Sequence, residues 1–158
     1  MANTFSYTGS VAPGASVTKG ILAITAASAT TGRLIALDIF MDGGSSQFWP
    51  KFQLIRGTGS FTAPTGGTTL TNYGGNAGGL LGTGNAVAKV GTFTAELAVG
   101  SGTLQTIKNW YIPNQGGIGL AWPYNRDLEA GNSQIFYLQV VTPASFANNI
   151  SFNAEWEE

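Results

Sequence analysis

Ile150-Ser151-Phe152-Asn153-Ala154-Glu155-Trp156 alternates apolar and polar residues without a break. Side chains along a β-strand point to opposite faces with period two. Ile150, Phe152, Ala154 and Trp156 therefore share a face that can be buried, and Ser151, Asn153 and Glu155 share one that can be wetted. Trp156 belongs to the inward set and is assigned to the core. The same alternation runs through Thr92–Val99, where Phe93, Ala95, Leu97 and Val99 oppose Thr92, Thr94 and Glu96.

Working outward, further strand-like runs are Thr4–Thr8, Ser16–Thr25, Arg33–Met41, Lys51–Arg56, Thr103–Ile112, Gly117–Trp122 and Gln134–Thr142. Arg33–Met41 and Gln134–Val141 are partly apolar on both faces, as suits central strands or strands with one face at a subunit contact. Gly, Pro, Asn and Ser clusters separate the runs at Val11–Gly14, Thr30–Gly32, Asp42–Ser46, Gly100–Gly102, Pro113–Gly116 and Asn125–Asn132. No sustained helical stripe occurs; the best helix candidate, Ala23–Ala29, is short and interrupted by Thr and Ser. The pattern predicts an all-β fold, a two-sheet antiparallel sandwich of jelly-roll type, in one domain over residues 1–158.

Two segments stand apart. Residues 1–15 read as an N-terminal arm. Gly57–Gly91 reads as a long Gly-rich loop inserted between the halves of the sandwich, with Thr68-Thr69-Leu70 and Ala86–Val90 as possible short strands. Lys89 is its only charge, and it has few residues able to fill a core, so its order must come from backbone hydrogen bonds or a neighbour.

Composition removes most chemistry. The 158 residues contain no His and no Cys, which excludes Ser-His-Asp and Cys-His catalysis, disulfides and His- or Cys-ligated metals. Charged residues are 9% of the chain against a typical value of about 25%, and 18 Thr, 11 Ser, 11 Asn and 6 Gln supply the polarity instead. The net charge is −1, and the seven basic residues are scattered, so no stripe is available for nucleic acid. A near-neutral protein lacks self-repulsion, which suits a subunit of an assembly. No window reaches the roughly 18 apolar residues of a membrane helix. The first residues lack the pattern of a signal peptide, so folding in a cytoplasm is expected.

Gly57-Thr58-Gly59 and Gly82-Thr83-Gly84 each lack the third glycine of a dinucleotide loop, and no Gly-Lys-Ser/Thr occurs. Among the carboxylates, Asp38 lies in an apolar strand and suits an outward position or an ion pair with an Arg. Asp127 and Glu129 share a turn that could hold a weak Ca²⁺ site, but a solvated turn explains the same residues and is the preferred reading. No catalytic residue, cofactor or metal site is assigned, and an enzyme is the weakest class. Trp49, Trp110, Tyr111, Trp122 and Tyr124 lie at strand ends or beside turns; they suit the ends of a core, an interface, or stacking on sugar rings. The candidate interaction residues are Phe5, Tyr7, Trp49, Tyr73, Trp110, Trp122 and Tyr124.

The order of several segments resembles jelly-roll bacteriophage head decoration (cement) proteins. These are Phe5-Ser6-Tyr7-Thr8-Gly9 with Ala12-Pro13-Gly14, Arg33-Leu34-Ile35, and Phe52-Gln53-Leu54-Ile55-Arg56-Gly57-Thr58-Gly59 leading into Thr62-Ala63-Pro64-Thr65-Gly66. Lys108-Asn109-Trp110-Tyr111, Gly117-Ile118-Gly119-Leu120 and the closing Asn153-Ala154-Glu155-Trp156-Glu157-Glu158 follow. Where those proteins often carry an acidic, proline-rich middle, this chain has a Gly/Asn-rich one. The resemblance implies a non-enzymatic virion protein that binds the major capsid protein on the outer surface of the shell, as a homotrimer. The arm and the Gly-rich loop would lie flat on the neighbour. Two alternatives from the residues are a carbohydrate- or receptor-binding module using Trp49, Trp122 and Tyr124, and a small jelly-roll shell protein. Residues 1–18 contain no Lys or Arg, so the basic arm usual in a genome-packaging shell is missing.

Overall fold

The computed structural model describes residues 4–26, 32–42, 49–70, 73–74, 87–113, 116–122, 128–131 and 134–157. They form fourteen strands and no helix among the described residues. The long strands of the first half are β1 (Thr4–Val11), β2 (Thr18–Thr25), β3 (Gly32–Met41) and β4 (Lys51–Thr58). An excursion then carries β5 (Phe61–Thr62), β6 (Thr65–Thr69), β7 (Tyr73–Gly74), β8 (Val87–Ala95) and β9 (Ala98–Val99). The return half has β10 (Thr103–Tyr111), β11 (Gly117–Ala121), β12 (Leu128–Ala130), β13 (Ile135–Val141) and β14 (Ile150–Glu157).

One pairing rule organises the molecule. β1 pairs β14, β2 pairs β13, β3 pairs β11 and β12, and β4 pairs β10, all antiparallel. The outgoing and returning halves are thus the two sides of one ribbon, and the excursion joins them at its far end. The ribbon folds over so that β14 also pairs β3 and β13 also pairs β4. Two sheets result, ordered β11-β3-β14-β1-β7 and β10-β4-β13-β2-β8-β6, with β5 and β9 as a separate pair.

The inward faces meet in one core. The alternation read in the last strand holds over its full length: Ile150, Phe152, Ala154 and Trp156 are buried, and the residues between them are partly wetted. Trp156 packs edge-on to Phe136 of the facing sheet at 6.1 Å, and Phe52 stacks on Trp110 at 6.2 Å. Register shifts insert one extra residue at Ile21, Ile35 and Ile107, which lets Ile21 and Leu22 both be buried.

Two expectations are corrected. The described part of the 1–15 segment is not a free arm: Thr4–Val11 pairs with β14 along its whole length and buries Phe5 and Tyr7. Alternation of Phe5, Tyr7 and Val11 with small polar residues makes this segment as good a strand as any other. Gly57–Gly91 is more than a loop, and the short strands allowed at 68–70 and 86–90 overlap elements that the structure extends. It supplies β6 and much of β8, which extend the second sheet, and Ala88 and Val90 enter the main core. Gly66 and Gly67 adopt φ of 76° and 72° where β6 is irregularly paired with β8, and a Cβ on either would meet Thr94 or Phe93 within 3 Å. The Ala23–Ala29 helix candidate gives way to β2 through Thr25, because Ala23 and Ile24 face opposite sides of a paired strand; its last three residues lie outside the described set.

Candidate functional site

The two outer faces of the sandwich differ. On the sheet containing β6 and β8, the outward Ala23, Phe93, Ile135 and Tyr137 are buried in a second, smaller cluster with Ile55, Phe61 and Leu97 packed against it. The excursion thus lays a partial third layer over this face.

A polar clasp fixes that layer. Glu96, just after β8, accepts a hydrogen bond from the Tyr137 hydroxyl and another from the Gly20 amide at 2.8 Å. Lys19 lies 3.5 Å from its other carboxylate oxygen. The phenol ring covers Gly20 so closely that a Cβ there would fall 1.9 Å from the hydroxyl oxygen. Burial, and then the Glu96 carboxylate beside it, push the Tyr137 phenol far above the ordinary tyrosine range. The period-two pattern placed Glu96 on a wetted face; it folds back because β8 ends at Ala95.

Beside this layer lies a cleft of about 230 Å³ lined by Ala23, Thr25, Ala26, Ala63, Pro64, Val87 and Lys89. Ala23 faces Lys89 and Thr25 faces Val87 across the β2–β8 pair, and Ala63 and Pro64 border the opening.

The other outer face carries no such layer among the described residues. Its cross-strand rows read Ser10–Ser151–Phe40–Gly117, Thr8–Asn153–Asp38–Gly119 and Ser6–Glu155–Ala36–Ala121 across β1, β14, β3 and β11. Nearly all of these side chains are short. Phe40 rises from them 52% exposed and lies against Gly117, where a Cβ would fall 2.6 Å from its ring. Asp38 and Glu155 have no basic partner among the described residues, whereas Glu157 accepts from Arg33 at one edge, Nε to Oε2 being 2.7 Å. Asp38 thus takes the outward position foreseen for it, without an arginine.

The sequence-derived candidates separate. Phe5, Tyr7 and Trp110 are buried and present no ring to a partner, which corrects their assignment as interaction residues: each points inward from a strand whose other face is polar. Trp49 is 57% exposed, and Trp122 is half-buried against the core. Tyr73 lies in β7, with its side chain outside the described set, and Tyr124 lies outside it altogether. Of the Ca²⁺ candidates, Asp127 is outside the described residues and Glu129 sits in β12. No group of three or more acidic ligands gathers among the described residues. Phe40 escaped singling out, although Arg33–Met41 read as apolar on both faces signalled it. Tyr111, at the end of β10, is 60% exposed. No family model, curated protein or solved structure matches the chain.

Proposed function

We propose that the chain is a non-enzymatic structural subunit of a bacteriophage virion. It is made in the host cytoplasm and attached to the outer surface of the capsid as a decoration protein, as a homotrimer. Strand order supports a jelly-roll reading. β1-β14-β3-β11 facing β2-β13-β4-β10 is the order obtained when one long antiparallel ribbon of eight strands wraps on itself.

The observation that carries the proposal is the uncovered outer face of β1, β14, β3 and β11, lined mostly by short side chains among the described residues. Short Ser, Thr, Asn, Ala and Gly side chains there let another surface approach the backbone closely, so shape fit does not depend on ordering long side chains. Phe40 supplies an exposed aromatic anchor among the described side chains of this face, the kind of residue that dominates interface energetics when a pocket receives it. Asp38 and Glu155 on the same face favour a partner offering cationic groups. Repetition over a lattice multiplies individually weak contacts.

The test is co-sedimentation with mature shells. Phe40→Glu, with Asp38→Lys as a second variant, should leave the melting temperature within a few degrees and abolish shell binding. Binding unchanged in both variants would refute use of this face. A strictly monomeric species at high concentration would refute the trimer.

A second reading, carbohydrate binding, is favoured by the exposure of Trp49. Glycan-array binding lost in Trp49→Ala would support it, and a blank array would remove it.

A further inference from the structure

We propose that the cleft between β2, β8 and the 63–64 segment binds a small apolar carboxylate, with the Lys89 ammonium as its charge partner. The inference is independent of the virion proposal and uses the opposite side of the sandwich.

Most of the lining is apolar: Ala23, Ala26, Ala63, Pro64 and Val87. Val87 is 47% exposed and Pro64 is buried, so one wall is firm and the other is open to an incoming group. Among the described residues two polar groups interrupt this lining, Thr25 and Lys89. They come from paired strands and point the same way: Thr25 stands opposite Val87, and Lys89 is two residues further along β8 on the same face. A hydroxyl and an ammonium at such a diagonal offer two donors to one carboxylate.

No carboxylate among the described residues pairs with Lys89. The described ion pairs are Lys19 with Glu96 and Arg33 with Glu157. Lys89 is the only charged residue in 57–91, so the sequence places a cation where it otherwise places none. A cation in a largely apolar cleft gains most from an anion that brings its own apolar body, because burial of that body and the charge contact reinforce each other. The cleft volume of about 230 Å³ suits a body the size of an aryl ring or short alkyl chain.

The test uses the intact chain and 3-phenylpropionate, with 3-phenylpropanamide as the uncharged control. Titration is followed by amide chemical shifts in two-dimensional NMR. Saturable shifts confined to β2, β8 and residues 61–64 are expected. The amide, and the Lys89→Met variant with the acid, should each bind about tenfold more weakly. Ala63→Glu, at an exposed position on the rim, should weaken the acid and leave the amide unaffected; it decides the matter if Lys89→Met does not fold. Shifts that fail to saturate, that spread over both sheets, or that are equal for acid and amide would overturn the proposal.

Discussion

Removing one oxygen atom tests the account of how the excursion is held. Tyr137→Phe deletes the hydroxyl that donates to Glu96 and leaves the ring in its cluster beside Phe93, whose centroid is 5.9 Å away. Hydrogen bonds to charged groups contribute roughly 1.5–3 kcal/mol. Glu96 retains the Gly20 amide and Lys19 after the change, and its side chain is 31% exposed, so water compensates in part. The expected loss is therefore near the middle of that range, about 2 kcal/mol. For a chain of this length that lowers the melting temperature by about 4–8 °C. Urea unfolding of Tyr137→Phe, Glu96→Ala and the double variant should give a coupling of at least about 1 kcal/mol. The pH dependence provides a second readout. The unfolded chain releases its phenolic protons near pH 10, while the folded chain keeps that of Tyr137. Above pH 10 the unfolded state then binds fewer protons than the folded state, so stability falls as pH rises; below pH 10 the contribution is whole. Tyr137→Phe should flatten this alkaline loss. Additive single effects, within about 0.5 kcal/mol, together with an unchanged alkaline slope, would refute the clasp.

Gly20→Ala should act on the same clasp from the other side: the new methyl cannot coexist with the Tyr137 ring, and a loss of about 1–3 kcal/mol is expected in urea. Trp156→Ala empties the largest fully buried side chain and should cost about 3–5 kcal/mol, read as a collapse of the cooperative melt or failure to express folded protein. Arg33→Ala leaves Glu157 without its cross-strand partner where both side chains are under one-fifth exposed; a loss of about 1–3 kcal/mol is expected, with little dependence on salt.

Strands that bury one face were readable from residues alone, because alternation is a local property. Ile150–Trp156 and Lys51–Arg56 match the structure almost residue for residue. Thr92–Val99 was read as one strand, yet the chain breaks between Ala95 and Ala98, where Glu96 turns toward Tyr137. That partner is 41 positions away, and no local pattern encodes it. The same limit explains the arm. Phe5 and Tyr7 alternate correctly, but only β14, at the other end of the chain, decides that they are covered. In the excursion, high glycine content left the strands legible only as the short runs 68–70 and 86–90, which overlap β6 and β8 without giving their extent. Glycine lowers the apolar count on which a strand is recognised, while here it allows β6 to approach β8 in a conformation that a Cβ would block. Trp110 and Trp49 show the opposite problem. Both sit near strand ends, but Trp110 takes an inward register position and Trp49 precedes its strand.

Placement of β1 within a sheet changes how attachment would work on the proposed reading. A free arm or loop that orders on binding gives up roughly 1–2 kcal/mol of conformational freedom per residue, so long contacts yield little net affinity. Ser6, Thr8 and Ser10 are already held by pairing with Glu155, Asn153 and Ser151, and Asp38 and Phe40 by pairing on both sides. Their backbone order is supplied by folding, and contact with a shell would cost only the freedom of the two partners as bodies and of a few side chains, Phe40 foremost. Rigid presentation also explains why the other face can be given over to a third layer: with attachment confined to one sheet, the excursion is free to brace the second. A variant that loosens the clasp at Glu96 should therefore lower stability without altering shell binding at temperatures where the sandwich stays folded, whereas Phe40→Glu should do the reverse.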